Sequence, residues 1–63
     1  MDIGQSIRNV IEARGLTYEK FAELLGVSRQ RAHTIAKSKD LKFSTIKKVS
    51  DALDINIEYL IQA

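Results

Sequence analysis

The 63 residues predict one all-α domain of five short helices, and two observations support that prediction. Apolar residues recur with the helical period along the chain, and strand-like alternation is limited to Ile55-Asn56-Ile57. Gly15 and Gly26 stand where helices would end, because glycine accepts the left-handed conformation without a steric clash. With no proline, linker or low-complexity tract, residues 1–63 are expected to form a single domain.

The first two helices are predicted from apolar faces and from polar residues at their starts. Asp2 is a candidate cap of the first helix, which Gly15 ends. The second helix begins at a Thr17 cap, has Glu19 in its first turn, where a carboxylate suits the helix dipole, and ends at Gly26. The two apolar faces consist of Ile3, Ile7, Val10 and Ile11, then of Phe21, Ala22, Leu24 and Leu25.

Three further helices follow in the second half of the chain. Ser28 is a good cap for a third helix that runs to about Lys37. A fourth helix is expected over roughly residues 43–53, with Ser44 replacing the missing cap, and Asn56 caps a short fifth helix. Their apolar faces consist of Phe43, Ile46, Val49 and Leu53, then of Ile57, Leu60 and Ile61.

Positive charge is concentrated in the middle of the chain. Residues 26–50 carry seven cations and one anion, residues 1–25 carry three cations and four anions, and residues 51–63 carry three anions and no cation. This asymmetry indicates an anionic partner, although a solvated basic surface would have the same distribution. The absence of cysteine removes disulfides and thiolate metal sites, and no signal peptide or transmembrane span is expected.

The third helix is predicted to have two opposite faces. At about 100° per residue, Ala32, Ile35 and Ala36 share a packing face. The opposite face carries Gln30, His33, Thr34 and Lys37, and Arg29 and Arg31 flank it. These side chains have the donors and acceptors that read base edges in a DNA major groove: arginine can bond guanine, glutamine can bond adenine, and a threonine methyl can meet a thymine methyl. The candidate base contacts are Arg29, Gln30, His33 and Thr34.

The segment before the third helix has the layout of a helix-turn-helix. Ala22 is small where two helices would approach, Gly26 permits a tight reversal, and Val27 fills the angle between the helices. Ala32 and Ile35 would complete the packing of the motif from the third helix.

The segments GLTYEKFAELLGVSRQRAHTI and IKKVSDALDINIEYLI resemble the phage Cro and lambda-repressor-like family of helix-turn-helix proteins. The resemblance covers about residues 3–61 and implies a compact five-helix lambda-repressor-like domain, with helices two and three forming the motif. It also implies binding of double-stranded operator DNA, usually as a dimer, with residues 28–37 reading the major groove. We therefore expect a sequence-specific transcription regulator, a Cro-like repressor of a phage or mobile element, in the cytoplasm of a bacterial cell or infected host.

The resemblance further implies phosphate contacts around the motif. Tyr18 stands where the family often has glutamine, and it can still donate one hydroxyl bond. Ala36-Lys37-Ser38 replaces a common Glu-x-Gly ending, so the third helix is expected to run on or fray. The expected phosphate contacts are Thr17, Tyr18, Ser28, Arg31, Lys37, Lys39 and Lys42.

A symmetric homodimer is expected, because one recognition helix contacts too few base pairs to single out a site in a genome. The pair would form either in solution or only on the operator. The surface expected to join the two copies lies in residues 51–63, with Tyr59 the best candidate to project outward. Its candidate members are Ile55, Ile57, Tyr59 and Ile61.

Other function classes have weaker support in the sequence. His33 has no second histidine, cysteine or carboxylate at ligand spacing, so no metal is expected. Ser6, Thr45 and Ser50 lie within helices with no adjacent base, so nucleophilic catalysis has no support. No cofactor, small-molecule ligand, membrane partner or enzymatic activity is therefore predicted. The remaining alternative is a helix-turn-helix fold used as a protein-interaction module, such as an antirepressor partner. Cations at the DNA-facing positions disfavour it, because a protein groove favours apolar anchors.

Overall fold

The computed structural model describes residues 2–61, which form five helices and, within that range, no strand. The predicted all-α fold is confirmed. The helices are α1 (Ile3–Ala13), α2 (Tyr18–Leu25), α3 (Arg29–Lys37), α4 (Phe43–Leu53) and α5 (Ile57–Ile61).

Side-chain caps begin four of the helices as predicted. The side-chain oxygens of Asp2, Thr17 and Ser28 each accept a hydrogen bond from the backbone N–H three residues later, at 3.1, 3.0 and 3.1 Å. The Asn56 Oδ1 accepts a bond from the Glu58 N–H at 2.9 Å at the start of α5. Each bond satisfies a donor that the first turn of a helix leaves without an intrahelical partner.

The predicted cap at Ser44 is wrong. The residue before α4 is Lys42, which is extended and makes no side-chain capping bond. Because α4 already begins at Phe43, Ser44 has helical geometry, whereas a capping serine must be extended.

Two apolar side chains that were expected to pack are exposed instead. Leu24 is 43% exposed, because it lies about 110° around α2 from the centre of the buried Phe21, Ala22 and Leu25, at 100° per residue. Phe43 is 64% exposed, since it opens α4 one turn before the buried stripe begins at Ile46. The largest fully buried apolar side chains are Phe21, Ile7, Leu53, Leu60 and Val49.

Helix α1 holds the end of α3. The Gly4 N–H donates to the Ser38 carbonyl at 2.8 Å, and the Arg8 guanidinium donates to the Ala36 carbonyl. A Cβ at Gly4 would lie 2.4 Å from the Ser38 carbonyl oxygen and 2.6 Å from that of Ala36, so glycine alone permits this approach. These contacts occupy carbonyls that a helix end leaves without partners, and α3 ends at Lys37 rather than running on.

Candidate nucleic-acid interface

A tight turn joins α2 to α3 at the predicted residues. Gly26 is left-handed, with φ +73°, and the Val27 N–H donates to the Ala22 carbonyl at 3.1 Å. Ala22 is buried at the junction of the two helices, and Val27 is half-buried against the core. A larger side chain at Ala22 would therefore have to displace an existing neighbour.

Helix α3 divides into a packed face and a solvent face. Ala32, Ile35 and Ala36 are buried, as predicted. The solvent-facing positions carry one aromatic residue, His33, which is half-buried, together with exposed polar or charged residues. The exposed members are Arg29, Gln30, Arg31, Thr34 and Lys37.

The Thr34 side chain is fixed within its own helix. Its hydroxyl donates to the Gln30 carbonyl at 3.1 Å, and the Ser38 hydroxyl donates to the Thr34 carbonyl at 2.8 Å. Because the Thr34 hydroxyl proton is used in this bond, the side chain offers a base its methyl group and an acceptor oxygen.

An aromatic stack joins the two helices of the motif. The Tyr18 and His33 rings have centroids 4.0 Å apart and planes inclined by 27°. Tyr18 is half-buried and also packs against the core. The stack brings a predicted phosphate contact together with a predicted base contact, a pairing that the sequence analysis missed.

The other residues predicted to contact phosphate surround α3. Thr17 and Ser28 use a hydroxyl lone pair for capping, so each hydroxyl proton remains available to a phosphate oxygen. Both stand at helix N-termini, where backbone N–H groups and the helix dipole favour an anion. The exposed cations among the predicted contacts are Arg31 and Lys37 on α3 and Lys39 and Lys42 in the segment between α3 and α4.

Two residues that position α3 were missed from the sequence, namely Gly4 and Arg8. Each reaches the end of α3 from a site about 30 residues earlier in the chain. Glycine in the first turn of an amphipathic helix was the available signal for Gly4, because a glycine within a helical pattern can have a packing reason. A solvent-exposed role would fit Arg8 equally well from sequence alone.

The predicted dimer residues lie in α5 and in the turn before it. Ile55, Ile57 and Ile61 are half-buried, whereas Tyr59 is 59% exposed, in agreement with its predicted outward position. Beside them is an open groove of about 390 Å³, here called the α1–α5 groove. Its lining residues are Val10, Ala13, Arg14, Ile55, Asn56 and Tyr59.

The part of the α1–α5 groove that comes from α1 was not predicted. Val10 was assigned to the core, and neither Ala13 nor Arg14 has a pattern that links it to α5. The Arg14 guanidinium donates to the Leu53 carbonyl and so joins the end of α1 to the end of α4. This contact spans 39 residues, a separation over which local periodicity carries no information.

Residues 2–61 also bear on two other classes of site. No group of three or more histidine, cysteine, aspartate or glutamate side chains there is arranged to hold a metal ion. No helix in this range has the length and apolar character needed to cross a membrane.

Comparisons with known proteins identify the family. The helix-turn-helix family profile matches residues 7–60. Among solved structures, the restriction-modification controller protein C.AhdI from Aeromonas hydrophila is similar, with a TM-score of 0.80, 30% sequence identity, and coverage of 92% of this chain and 89% of that one. A comparison with curated proteins finds no match. The chain belongs to the helix-turn-helix family, in the Cro and lambda-repressor-like group of DNA-binding transcription regulators.

Proposed function

We propose that this chain is a sequence-specific Cro-like repressor that reads the major groove of operator DNA with α3. The single observation that supports this most strongly is the division of α3, whose apolar face is buried while its polar face is turned to solvent. An α-helix fits the major groove, and each base pair there has a distinct pattern of donors and acceptors.

Four side chains on α3 would read the bases. Arg29 can make a bidentate bond to guanine, and Gln30 can do the same with adenine. Thr34 would meet a thymine through its methyl group, since its hydroxyl proton is used within α3. The half-buried His33 would offer the nitrogen atoms at the edge of its ring.

Groups around α3 would bind the phosphate backbone and so fix its register. The Thr17 and Ser28 hydroxyls and the Tyr18 phenol can donate to phosphate oxygens beside the starts of α2 and α3. Arg31, Lys37, Lys39 and Lys42 would add charge, so affinity should fall steeply as salt concentration rises.

The protein would occupy its operator as a symmetric homodimer. Two recognition helices related by a twofold axis read a palindrome whose half-sites lie about 34–36 Å apart. The joining surface would consist of Ile55, Ile57, Tyr59 and Ile61 beside the α1–α5 groove, because half-buried and exposed apolar side chains there are available for pairing. A repressor bound in this way over a promoter would obstruct transcription. The similar solved structure is described as a restriction-modification controller protein, and that description supports a regulatory role.

The exposed Leu24 and Phe43 favour a second candidate, a protein-interaction module, because apolar anchors suit a protein partner. Neither residue belongs to the solvent face of α3, however, and that face is charged and polar. DNA binding is therefore the stronger proposal.

Selection of bound sequences from a pool of random duplexes tests the proposal. We expect an enriched inverted repeat, occupied by two chains at saturation in sedimentation analysis. Binding without enrichment would contradict sequence-specific readout, and a site without an inverted repeat, occupied by one chain, would contradict the dimer. Failure to bind any duplex would favour the protein-interaction module.

A further inference from the structure

The stack between Tyr18 and His33 connects the first residue of α2 with the middle of α3. We propose that the two rings form one reading unit, in which Tyr18 is a positioning residue that holds the His33 imidazole in the orientation that meets a base. Tyr18 would then influence sequence preference through its ring without itself contacting a base. The inference rests on the proposed DNA-binding function of α3.

The stacked geometry leaves the hydrogen-bonding edge of the imidazole available. Stacking at a centroid distance of 4.0 Å covers a face of the His33 ring. The two nitrogen atoms that donate or accept hydrogen bonds lie at the ring edge, in its plane. A stacked imidazole can therefore present its edge to a base while its face rests on tyrosine.

The stack also restricts His33 before DNA arrives. A histidine on an open helix surface exchanges among staggered χ1 rotamers and a broad range of χ2 angles. Rotamers that separate the two rings lose the aromatic contact, so the stacked orientation is favoured. Binding then loses less side-chain entropy, because the reading group is ordered in advance.

Tyr18 is suited to be the fixed member of the pair. Its backbone opens α2 directly after the Thr17 cap, and its ring packs against the hydrophobic core as well as against His33. The phenol hydroxyl lies at the far end of this ring and can donate to a phosphate. The two roles of Tyr18 are therefore chemically separable, since the ring holds His33 and the hydroxyl would bind the backbone of DNA.

This separation defines the experiment, which measures sequence preference by selection and affinity by titration on matched duplexes. Tyr18→Phe keeps the ring, so we expect the same preferred sequence with a uniform few-fold loss of affinity. Tyr18→Leu removes the ring, so we expect weaker discrimination at the same base pair that His33→Ala affects. The Tyr18→Leu/His33→Ala double variant should discriminate at that base pair no worse than His33→Ala alone.

Two controls separate positioning from a general loss of structure. Thr34 is held within α3 by its bond to the Gln30 carbonyl, so the effects of Tyr18→Leu and Thr34→Ala should be additive. His33→Phe retains a stacked ring, so it should unfold at a temperature near the wild-type midpoint. Because phenylalanine has no ring nitrogen, the variant should lose the preference at the base pair that His33 reads. That variant tests the reading role of His33 even if Tyr18→Leu is poorly folded.

Several results would overturn the inference. Unchanged preference in folded Tyr18→Leu would mean that the tyrosine ring does not position His33. Unchanged preference in His33→Phe would mean that the imidazole reads no base. If Tyr18→Phe and Tyr18→Leu lose the same affinity for all sequences, Tyr18 is a phosphate contact alone. If the wild-type protein selects no sequence, the proposed function fails and this inference fails with it. If the wild-type protein selects a sequence and folded Tyr18→Leu and His33→Phe select the same one, only this inference fails.

Discussion

The helix-turn-helix of residues 17–37 and the α1–α5 groove use their apolar residues in different ways. In the motif, Ala22, Ala32 and Ile35 are buried, Leu24 on α2 is exposed, and the surface that remains on α3 is polar. At the groove, Ile55 is half-buried and Tyr59 is 59% exposed. The first surface suits a hydrated, charged ligand such as DNA, and the second suits another apolar protein surface.

The two regions also differ in the sequence separation of the contacts that form them. Thr17, Gly26 and Ser28 define the motif through bonds and conformations within a few residues. The groove depends on contacts such as the bond from Arg14 to the Leu53 carbonyl, which joins distant parts of the chain. Variants in each region should therefore have separable effects.

The largest loss of stability is expected from Gly4→Ala, which acts on the support of α3. The added Cβ would lie 2.4 Å from the Ser38 carbonyl oxygen, and backbone atoms cannot move aside cheaply. We expect a loss toward the upper end of the roughly 1–3 kcal/mol that overpacking costs. The sign of the change in unfolding free energy is informative, because helix propensity alone would make alanine about 0.5–1 kcal/mol more favourable than glycine.

Thermal and denaturant unfolding measure this effect, with Glu12→Ala as the control at an exposed position of the same helix. The control should remain within about 0.5 kcal/mol of the wild type, as is usual for surface changes. A Gly4→Ala variant as stable as the control would mean that α1 and the end of α3 are farther apart than described.

The next effect tests the junction of the motif itself. Ala22→Leu should overpack the contact between α2 and α3 and cost about 1–3 kcal/mol of unfolding free energy. Glu23→Leu introduces the same side chain at the neighbouring exposed position and should leave the unfolding midpoint nearly unchanged. Equal midpoints for the two leucine variants would place Ala22 outside the junction.

A smaller effect, on assembly rather than stability, is expected at the α1–α5 groove. Tyr59→Ala should weaken pairing by about 1–2 kcal/mol, because aromatic anchors contribute strongly to interfaces. Binding to an isolated half-site should be unchanged, while cooperative occupancy of the full inverted repeat should fall. Phe43→Ala removes another exposed aromatic residue outside the proposed surface and should retain cooperativity. If Tyr59→Ala is equally cooperative, the joining surface lies elsewhere.

The smallest effect is expected from removal of one phosphate contact. Lys39→Ala should weaken binding to all sequences alike and flatten the slope of log affinity against log salt by about one unit. Lys47→Ala removes a cation from the surface of α4, outside the proposed contacts, and should leave the slope unchanged. Titrations at several salt concentrations measure these slopes. Equal slopes for the two variants would mean that Lys39 does not contact a phosphate.

Local patterns in the sequence were sufficient to predict most of the fold. The caps at Thr17 and Ser28 and the reversal at Gly26 depend on neighbouring residues, so periodicity and turn chemistry could identify them. The exposure of Phe43 and the close approach at Gly4 depend on which distant element lies opposite, and composition alone does not determine that.

The candidate interface was predictable to a similar extent. The helical period was enough to separate the packed and solvent faces of α3, including the exposed Arg29 and Gln30. It could not reveal that Tyr18 stacks on His33, because that contact depends on how α2 crosses α3. Nor could it assign the Thr34 hydroxyl to the Gln30 carbonyl, since a threonine within a helix can also turn its hydroxyl to solvent.

Whether the solvent face of α3 reads bases is tested most directly by the affinities of Arg29→Ala and Gln30→Ala for single-base variants of the selected operator. Each variant should lose about 1–3 kcal/mol on the preferred site and relax discrimination at its own base pair, leaving the other positions unchanged. Thermal unfolding at the wild-type midpoint would show that both variants remain folded. If both retain the affinity and the base preference of the wild-type protein, α3 does not read the operator.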